Sequence, residues 1–231
     1  MSARYAIYFA PEQHSPWWIF GSHWLGRNEW DDTLLQQPQL EDVQADELAA
    51  ITTEPRRYGF HATLKAPFRL ATGQTQADLL TRMESLAATL APVALGPVRA
   101  SAIGNFVALV AEGAAEALQG FASACVTGLD DLRAPLNAAD IQRRGVASLD
   151  TREAELLQKF GYPYVMERFR FHFTLTGPVD RAMQERVVVA ANPWVNRLNR
   201  DAPLWMDRLC LFVQASPEAA FRRVADVLVR A

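Results

Sequence analysis

The sequence contains few of the residues and segments that mark secreted, disulfide-rich or membrane proteins. Its 231 residues include two cysteines, Cys125 and Cys210, which lie far apart and are expected as small buried hydrophobes rather than as a disulfide framework. The beginning of the chain lacks the long apolar segment of a signal peptide, and no stretch approaches the roughly 20 apolar residues of a membrane span. We therefore expect a cytoplasmic protein with no membrane segment.

The sequence also lacks an excess of basic residues. The formal net charge is -3 at pH 7 and the isoelectric point is about 5.8. Proteins that coat nucleic acid usually carry a basic surface, so a long nucleic acid is not an expected partner. A small anionic substrate is compatible with this charge, because a local cleft can be basic in an acidic protein. The sequence gives no indication of an oligomeric state.

Short strand and helix patterns follow one another along the chain in an irregular order. Strands are predicted at residues 4–11, 57–70, 97–103, 106–111, 169–175 and 204–214, and helices at residues 40–51, 75–90, 114–129, 138–144, 151–160, 181–191 and 217–229. The regular strand-helix alternation of a parallel sheet is missing. The order favours the α+β class, with antiparallel sheets and helices packed outside them, in one domain that spans residues 1–231.

Two of the predicted strands share the pattern Phe-His-x-Thr-Leu. They place His61 and His172 in the same context, 111 residues apart. Because side chains alternate between the faces of a strand, each segment has one apolar face and one face with an imidazole and a hydroxyl. The polar faces are predicted to carry His61, Thr63 and Lys65 in the first strand, and Arg170, His172, Thr174 and Thr176 in the second.

The repetition of this pattern favours a functional role over a structural one. A single histidine in a half-buried strand is more often structural, but the chain has only four histidines. From composition alone, the probability that two of them occur in the same pentapeptide context by chance is on the order of one in a thousand. A histidine and a threonine two residues apart lie about 7 Å apart along a strand, so both side chains can reach one phosphate group. A metal site is disfavoured, because no acidic residue or third histidine shares the local spacing, and no cofactor is expected.

Paired His-x-Thr elements, one in each half of the chain, resemble the defining motif of the 2H phosphoesterase superfamily. Both His61-Ala62-Thr63-Leu64 and His172-Phe173-Thr174-Leu175 fit the motif. Over most of its length the chain is also similar to a bacterial family linked to phosphonate metabolism. That similarity includes residues 58–68, 132–135, 160–165 and 169–176.

This resemblance implies both a fold and an activity. The implied fold is bilobal, with two antiparallel sheets and outer helices around a central cleft, related by an internal pseudo-twofold duplication. The implied activity is metal-independent hydrolysis of a phosphodiester in a small phosphorylated substrate, with a cyclic phosphate as the expected form. The resemblance also suggests a place in phosphonate metabolism.

Phosphoryl transfer requires an attacking and a leaving oxygen roughly in line, and two imidazoles on opposite sides of one phosphorus suit this geometry. His61 and His172 are therefore the predicted acid–base pair, without an assignment of which is the base. Thr63 and Thr174 are predicted to donate hydrogen bonds to the phosphate oxygens. Further candidates for substrate binding are Lys65 and Arg170 for charge, Tyr162 and Tyr164 for stacking on a base or sugar, and Arg133, Arg143 and Arg144 for a second phosphate.

Two alternative functions remain open at the level of the sequence. The first is an RNA-end 2′,3′-cyclic phosphodiesterase or a 2′–5′ RNA ligase, against which the acidic net charge argues. The second is a non-catalytic module that binds a phosphate ligand. The intact histidines and hydroxyls of both strands argue against the second, since binding alone does not require both.

Overall fold

The computed structural model describes residues 3–137, 140–141 and 149–230. The strands are β1 (Arg4–Phe9), β2 (Ala62–Phe68), β3 (Val93–Ala94), β4 (Val98–Ile103), β5 (Phe106–Ala111), β6 (His172–Thr174), β7 (Trp205–Met206), β8 (Arg208–Gln214) and β9 (Arg222–Leu228). The α-helices are α1 (Pro16–Leu25), α2 (Ala45–Ile51), α3 (Thr53–Arg56), α4 (Gln76–Ala87), α5 (Ala115–Gly128), α6 (Thr151–Phe160) and α7 (Arg181–Asp201). The predicted helix at residues 138–144 lies largely outside the described residues.

Antiparallel pairing joins the described strands into three sheets. The first sheet has the strand order β2-β1-β8-β9, the second has the order β4-β5-β6, and β3 pairs with β7. β2 and β6 are edge strands of their own sheets, and they contact each other. The rings of Phe60 and Phe173 stack across this contact with centroids 4.7 Å apart. The contact brings the two Phe-His-x-Thr-Leu segments together.

Helices cover the sheets and bury their apolar residues. α7 packs along β4 and β5, α5 packs on β2, and α4 packs on β8 and β9. Mixed helices and antiparallel sheets confirm the predicted α+β class, whereas the bilobal form and the internal duplication stay predictions. Cys125 and Cys210 are both buried and form no disulfide. Within the described part of the chain, no helix is both long and apolar enough to cross a membrane.

No strand or helix was predicted for residues 16–25, which are rich in aromatic side chains and form α1. Ser15 caps its beginning by accepting a hydrogen bond from the backbone N–H of Trp18, and Pro16 occupies the first turn, where a missing N–H costs nothing. Gly26 ends the helix in the left-handed conformation, with φ of 74°. The capping residues therefore indicate this helix more clearly than apolar periodicity does, because apolar residues occur all around it.

The predicted closing helix at residues 217–229 is wrong, because β9 occupies most of that range. β9 pairs antiparallel with β8 and forms an edge of the first sheet. Burial at the start of β9 follows the two-residue period of a strand, with Phe221 and Arg223 buried and Arg222 and Val224 exposed. The pairing with β8 satisfies the backbone of a segment whose local sequence is also compatible with a helix.

Candidate functional site

His61 lies immediately before β2, where a glycine sets the orientation of its ring. Gly59 has a φ of 77°, and a Cβ at this position would lie 2.8 Å from the Cβ of Glu29, so a larger residue would be strained there. In this conformation the Gly59 carbonyl accepts a hydrogen bond from Nδ1 of His61 at 2.8 Å. Because a carbonyl can only accept, Nδ1 carries the proton and Nε2 is left as an acceptor.

His172 has the same arrangement at the start of β6. Its Nδ1 lies 2.8 Å from the carbonyl oxygen of Arg170, which is again the residue two positions earlier in the chain. The proton therefore sits on Nδ1 in this ring as well, and Nε2 is again the acceptor. Both histidines thus have the same tautomer, fixed in each case by the backbone carbonyl two residues earlier in the chain.

One cleft of about 530 Å³ brings the two histidines together. It is lined by His61, Thr63, His172 and Thr174 among others, all four of which are half-buried. The hydroxyl of Thr63 lies 3.3 Å from Nε2 of His61 and can donate a hydrogen bond to it. The sequence motif therefore corresponds to one continuous surface.

Both imidazoles are held in the neutral form. Burial lowers the pKa of His61 from 6.5 to about 4; the hydrogen bond to Gly59 opposes this shift, and the nearby charge of His172 adds to it. Burial also lowers the pKa of His172, again against the effect of its hydrogen bond to the backbone. Near neutral pH the ligand-free cleft therefore presents two uncharged rings, each with an Nε2 that can accept a proton.

Lys65 does not share the cleft face with His61 and Thr63, although strand alternation predicted that it would. Between Ile7 and Tyr8 of β1, the pairing partner in β2 moves by two residues, from Lys65 to Thr63. Between these two pairs β2 therefore has one residue more than β1. This bulge interrupts the alternation of side chains between the two faces of β2. Lys65 is instead buried, and its Nζ donates hydrogen bonds to Asp130 Oδ1 at 2.8 Å and to the carbonyl of Val126.

The other predicted substrate-binding residues divide into three groups. Tyr162 and Tyr164 line the cleft, with their rings edge to face at 5.5 Å between centroids. Arg170 is exposed and lies outside the cleft lining, and Arg133 is held beside Lys65 by hydrogen bonds to Asp130 and to the carbonyl of Lys159. Arg143 and Arg144 lie outside the described residues.

Several residues that line the cleft have no counterpart in the sequence prediction. Tyr8 stacks on the ring of His61, and the ring centroid of Tyr58 lies 6.2 Å from that of His61. The ring centroid of Phe106 lies 5.8 Å from that of His172. Arg4 brings a cation to the cleft, and its Nε donates to Oε1 of Gln214. The sequence indicated Tyr8 only indirectly, because Tyr8 falls on the face of the first strand opposite to Tyr5 and Ile7.

Across residues 3–137, 140–141 and 149–230, no group of three or more histidines, cysteines and acidic residues is placed to hold a metal.

A protein-family model described as a protein of unknown function, DUF1045, matches residues 63–222. The chain belongs to this family. The match includes Thr63 and the second His-x-Thr element, and it begins just after His61.

Curated relatives of this family member carry the name of a kinase. The chain is 38% identical over 221 residues to ribose 1,5-bisphosphate phosphokinase PhnN of Janthinobacterium sp. (strain Marseille). The aligned region covers 94% of this chain and 49% of the relative. It is 37% identical over 224 residues to the protein of the same name from Laribacter hongkongensis (strain HLHK9), covering 95% of this chain and 50% of the relative. The chain thus spans about half the length of the curated relatives that it matches.

These names contradict the predicted hydrolytic phosphodiesterase. A kinase transfers a phosphoryl group to an acceptor other than water, so the prediction of phosphodiester hydrolysis is wrong by this comparison. The RNA-end and binding-module alternatives receive no support from it either. The link to phosphonate metabolism agrees with the relatives, whereas membership of the 2H superfamily stays a prediction.

Proposed function

We propose that the cleft binds a small phosphorylated sugar and supports phosphoryl transfer to it, with the two histidines handling protons. The observation that carries the proposal is the matched anchoring of both Nδ1 atoms to backbone carbonyls, which leaves both Nε2 atoms as acceptors on one cleft. The names of the relatives make ribose 1,5-bisphosphate the candidate substrate. A volume of about 530 Å³ lies within the range of about 300–1,000 Å³ typical of small-molecule sites.

In this proposal His61 is the general base. The acceptor oxygen of the sugar carries a proton, and it attacks the phosphorus of a phosphoanhydride donor. As it attacks, its proton passes to Nε2 of His61. The bond between phosphorus and the bridging oxygen breaks, and its electron pair leaves with the remaining phosphate of the donor. His61 suits this role because its lowered pKa leaves it unprotonated near neutral pH.

His172 has the complementary role of a hydrogen-bond donor to the phosphoryl group. The negative charge of a bound phosphate raises the pKa of a nearby imidazole, because it stabilises the protonated form. In His172 this effect opposes the lowering of the pKa by burial, so a bound phosphate favours the protonated ring. As an imidazolium it would donate from Nε2 to a phosphoryl oxygen, while Thr174 donates from its hydroxyl and Arg4 adds positive charge to the cleft.

The activity is tested by incubating the purified chain with ribose 1,5-bisphosphate and ATP with magnesium, followed by ³¹P NMR. We expect loss of the donor γ-phosphate signal together with an equal gain of a new signal from a phosphorylated sugar. A parallel sample without the sugar measures donor hydrolysis. Loss of the γ-phosphate without a sugar product, or no reaction at all, would contradict the proposal.

The protonation of the cleft gives a prediction that needs no turnover. In the ligand-free protein, the ring signals of His61 should titrate near pH 4, since burial holds its pKa there. Added inorganic phosphate should move the midpoints of His61 and His172 to higher pH, because a bound anion favours the imidazolium. NMR of ¹⁵N-labelled histidine measures both effects. His23, which lies outside the cleft, is the control, and an equal response of His23 to phosphate would show that binding is not specific to the cleft.

We also propose that the two halves of the chain are related by an internal duplication within a single bilobal unit of the 2H type. Two features support this: each histidine strand is the edge of its own antiparallel sheet, and each ring is anchored to the carbonyl two residues before it.

A further inference from the structure

The environments of the two histidines differ in one respect that their sequence motifs do not show. The ring of Tyr8 lies on the face of His61, with centroids 3.7 Å apart and an interplanar angle of 24°. In the described part of the chain, the ring nearest to that of His172 is the ring of Phe106, at 5.8 Å between centroids and tilted by 52°. Among the residues that the structure describes, His61 therefore has a stacked partner, whereas the neighbouring ring of His172 is tilted and more distant.

We infer that Tyr8 is a positioning residue, which holds the ring of His61 in the plane from which Nε2 faces the cleft. Two independent contacts are needed to fix an imidazole. The carbonyl of Gly59 holds Nδ1 and selects the tautomer, but one hydrogen bond still leaves the ring free to tilt about it. The face of Tyr8 removes this freedom, because an imidazole that tilts would either lose the stacked contact or collide with the tyrosine ring.

Tyr8 is itself held firmly enough to act as such a support. It lies in β1, an inner strand of the first sheet, paired on one side with Thr63 and on the other with Cys210. Its side chain is only 1% exposed. Its ring packs against that of Phe212, with centroids 4.9 Å apart. The support for His61 therefore comes from the middle of a sheet, whereas His61 itself precedes an edge strand.

The test compares Tyr8→Phe, which keeps the ring, with Tyr8→Leu, which removes it. We expect Tyr8→Leu to lower kcat by roughly 10- to 100-fold with KM within about twofold, since a small misplacement of a reacting group costs rate rather than binding. Tyr8→Phe should retain kcat within about threefold, because the stacked face is kept. Loss of kcat in Tyr8→Phe equal to that in Tyr8→Leu would overturn the inference in favour of a role for the hydroxyl.

A second readout is independent of turnover and separates positioning from a general loss of stability. In ¹⁵N NMR of the wild-type protein, the two ring nitrogens of His61 should report one tautomer, with the proton on Nδ1. In Tyr8→Leu a tilted ring would lose the hydrogen bond from Nδ1 to Gly59 that selects the tautomer. We therefore expect the two shifts of His61 to move towards the average of two exchanging tautomers, while those of His172 stay unchanged. Circular dichroism verifies the fold, and Tyr8→Met is measured in parallel because its longer side chain fills more of the vacated space.

Phe106→Leu is the matched control, since it removes the ring nearest to His172 and should leave the tautomer of His61 unchanged. A single unaltered tautomer of His61 in folded Tyr8→Leu would overturn the inference. The consequence for kcat rests on the proposed function, but the tautomer readout does not. A changed tautomer in a protein without phosphotransfer activity would therefore refute the proposed function and leave the positioning role intact.

Discussion

Replacement of His61 by alanine is expected to lower kcat for phosphoryl transfer by about 10³-fold or more, and replacement of His172 by a similar factor. General acid–base groups contribute about 10²–10⁴-fold each, and in the proposed mechanism His61 is the base while His172 donates a hydrogen bond to the phosphoryl group. The ³¹P NMR assay described above measures both variants. His23→Ala is the matched control, because His23 also bonds a backbone carbonyl through Nδ1 but lies outside the cleft.

The two losses should not add. If the histidines act on the same transferring group, the double variant should be little slower than the slower single variant, because removing one partner already disables the pair. Rates within about tenfold of wild type in both single variants would exclude the pair from the chemistry. A large loss in one variant alone would assign the chemistry to that ring and contradict the paired mechanism.

Replacement of Arg223 by methionine is expected to lower the free energy of unfolding by about 3–5 kcal/mol, the usual cost of removing one member of a buried ion pair. Arg223 and Glu29 are both fully buried. The guanidinium donates hydrogen bonds to Asp226 at 2.6 and 2.7 Å and to the carbonyl of Pro11 at 2.8 Å, and its Nη1 lies 3.4 Å from Oε1 of Glu29. Methionine fills much of the volume but leaves the carboxylate of Glu29 buried without its cation.

Urea unfolding followed by circular dichroism measures this loss. Arg222→Met is the matched control, because Arg222 is the exposed neighbour on the same strand and donates one hydrogen bond to the carbonyl of Trp30. We expect it to cost less than about 1 kcal/mol. Adding Glu29→Gln to Arg223→Met should recover part of the loss, because it removes the unpaired charge. Equal losses in Arg223→Met and Arg222→Met would show that the buried pair does not stabilise the fold.

The second histidine strand shows how far local pattern can predict a site. Around β6, Phe171 and Phe173 are buried while His172 and Thr174 are half-buried and line the cleft, as a period of two requires. Short-range sterics alone set this alternation, so no knowledge of the remaining chain was needed. The same rule was wrong at Lys65, because a bulge in the pairing of β2 with β1 turns that residue away from Thr63.

The closing strand and the aromatic support of His61 lay beyond local pattern for a different reason. Residues 217–229 are compatible with a helix, and the partner strand β8 decides that most of them extend. Tyr8 lies 53 positions before His61, and only the pairing of β1 with β2 places its ring on the imidazole. Interactions of this kind depend on which strands become neighbours, which a single sequence does not state.

The sequence by itself determined the pair of histidine–threonine segments, the antiparallel α+β class and the apolar face of each histidine strand, because each depends on residue type and spacing within a few positions. Only the tertiary structure decided that the two edges meet over one cleft, that Lys65 is buried against Asp130, and that Tyr8 lies on His61. The physical reason is that proximity across a fold comes from strand pairing and core packing between distant segments. Side-chain alternation within one segment carries no information about it.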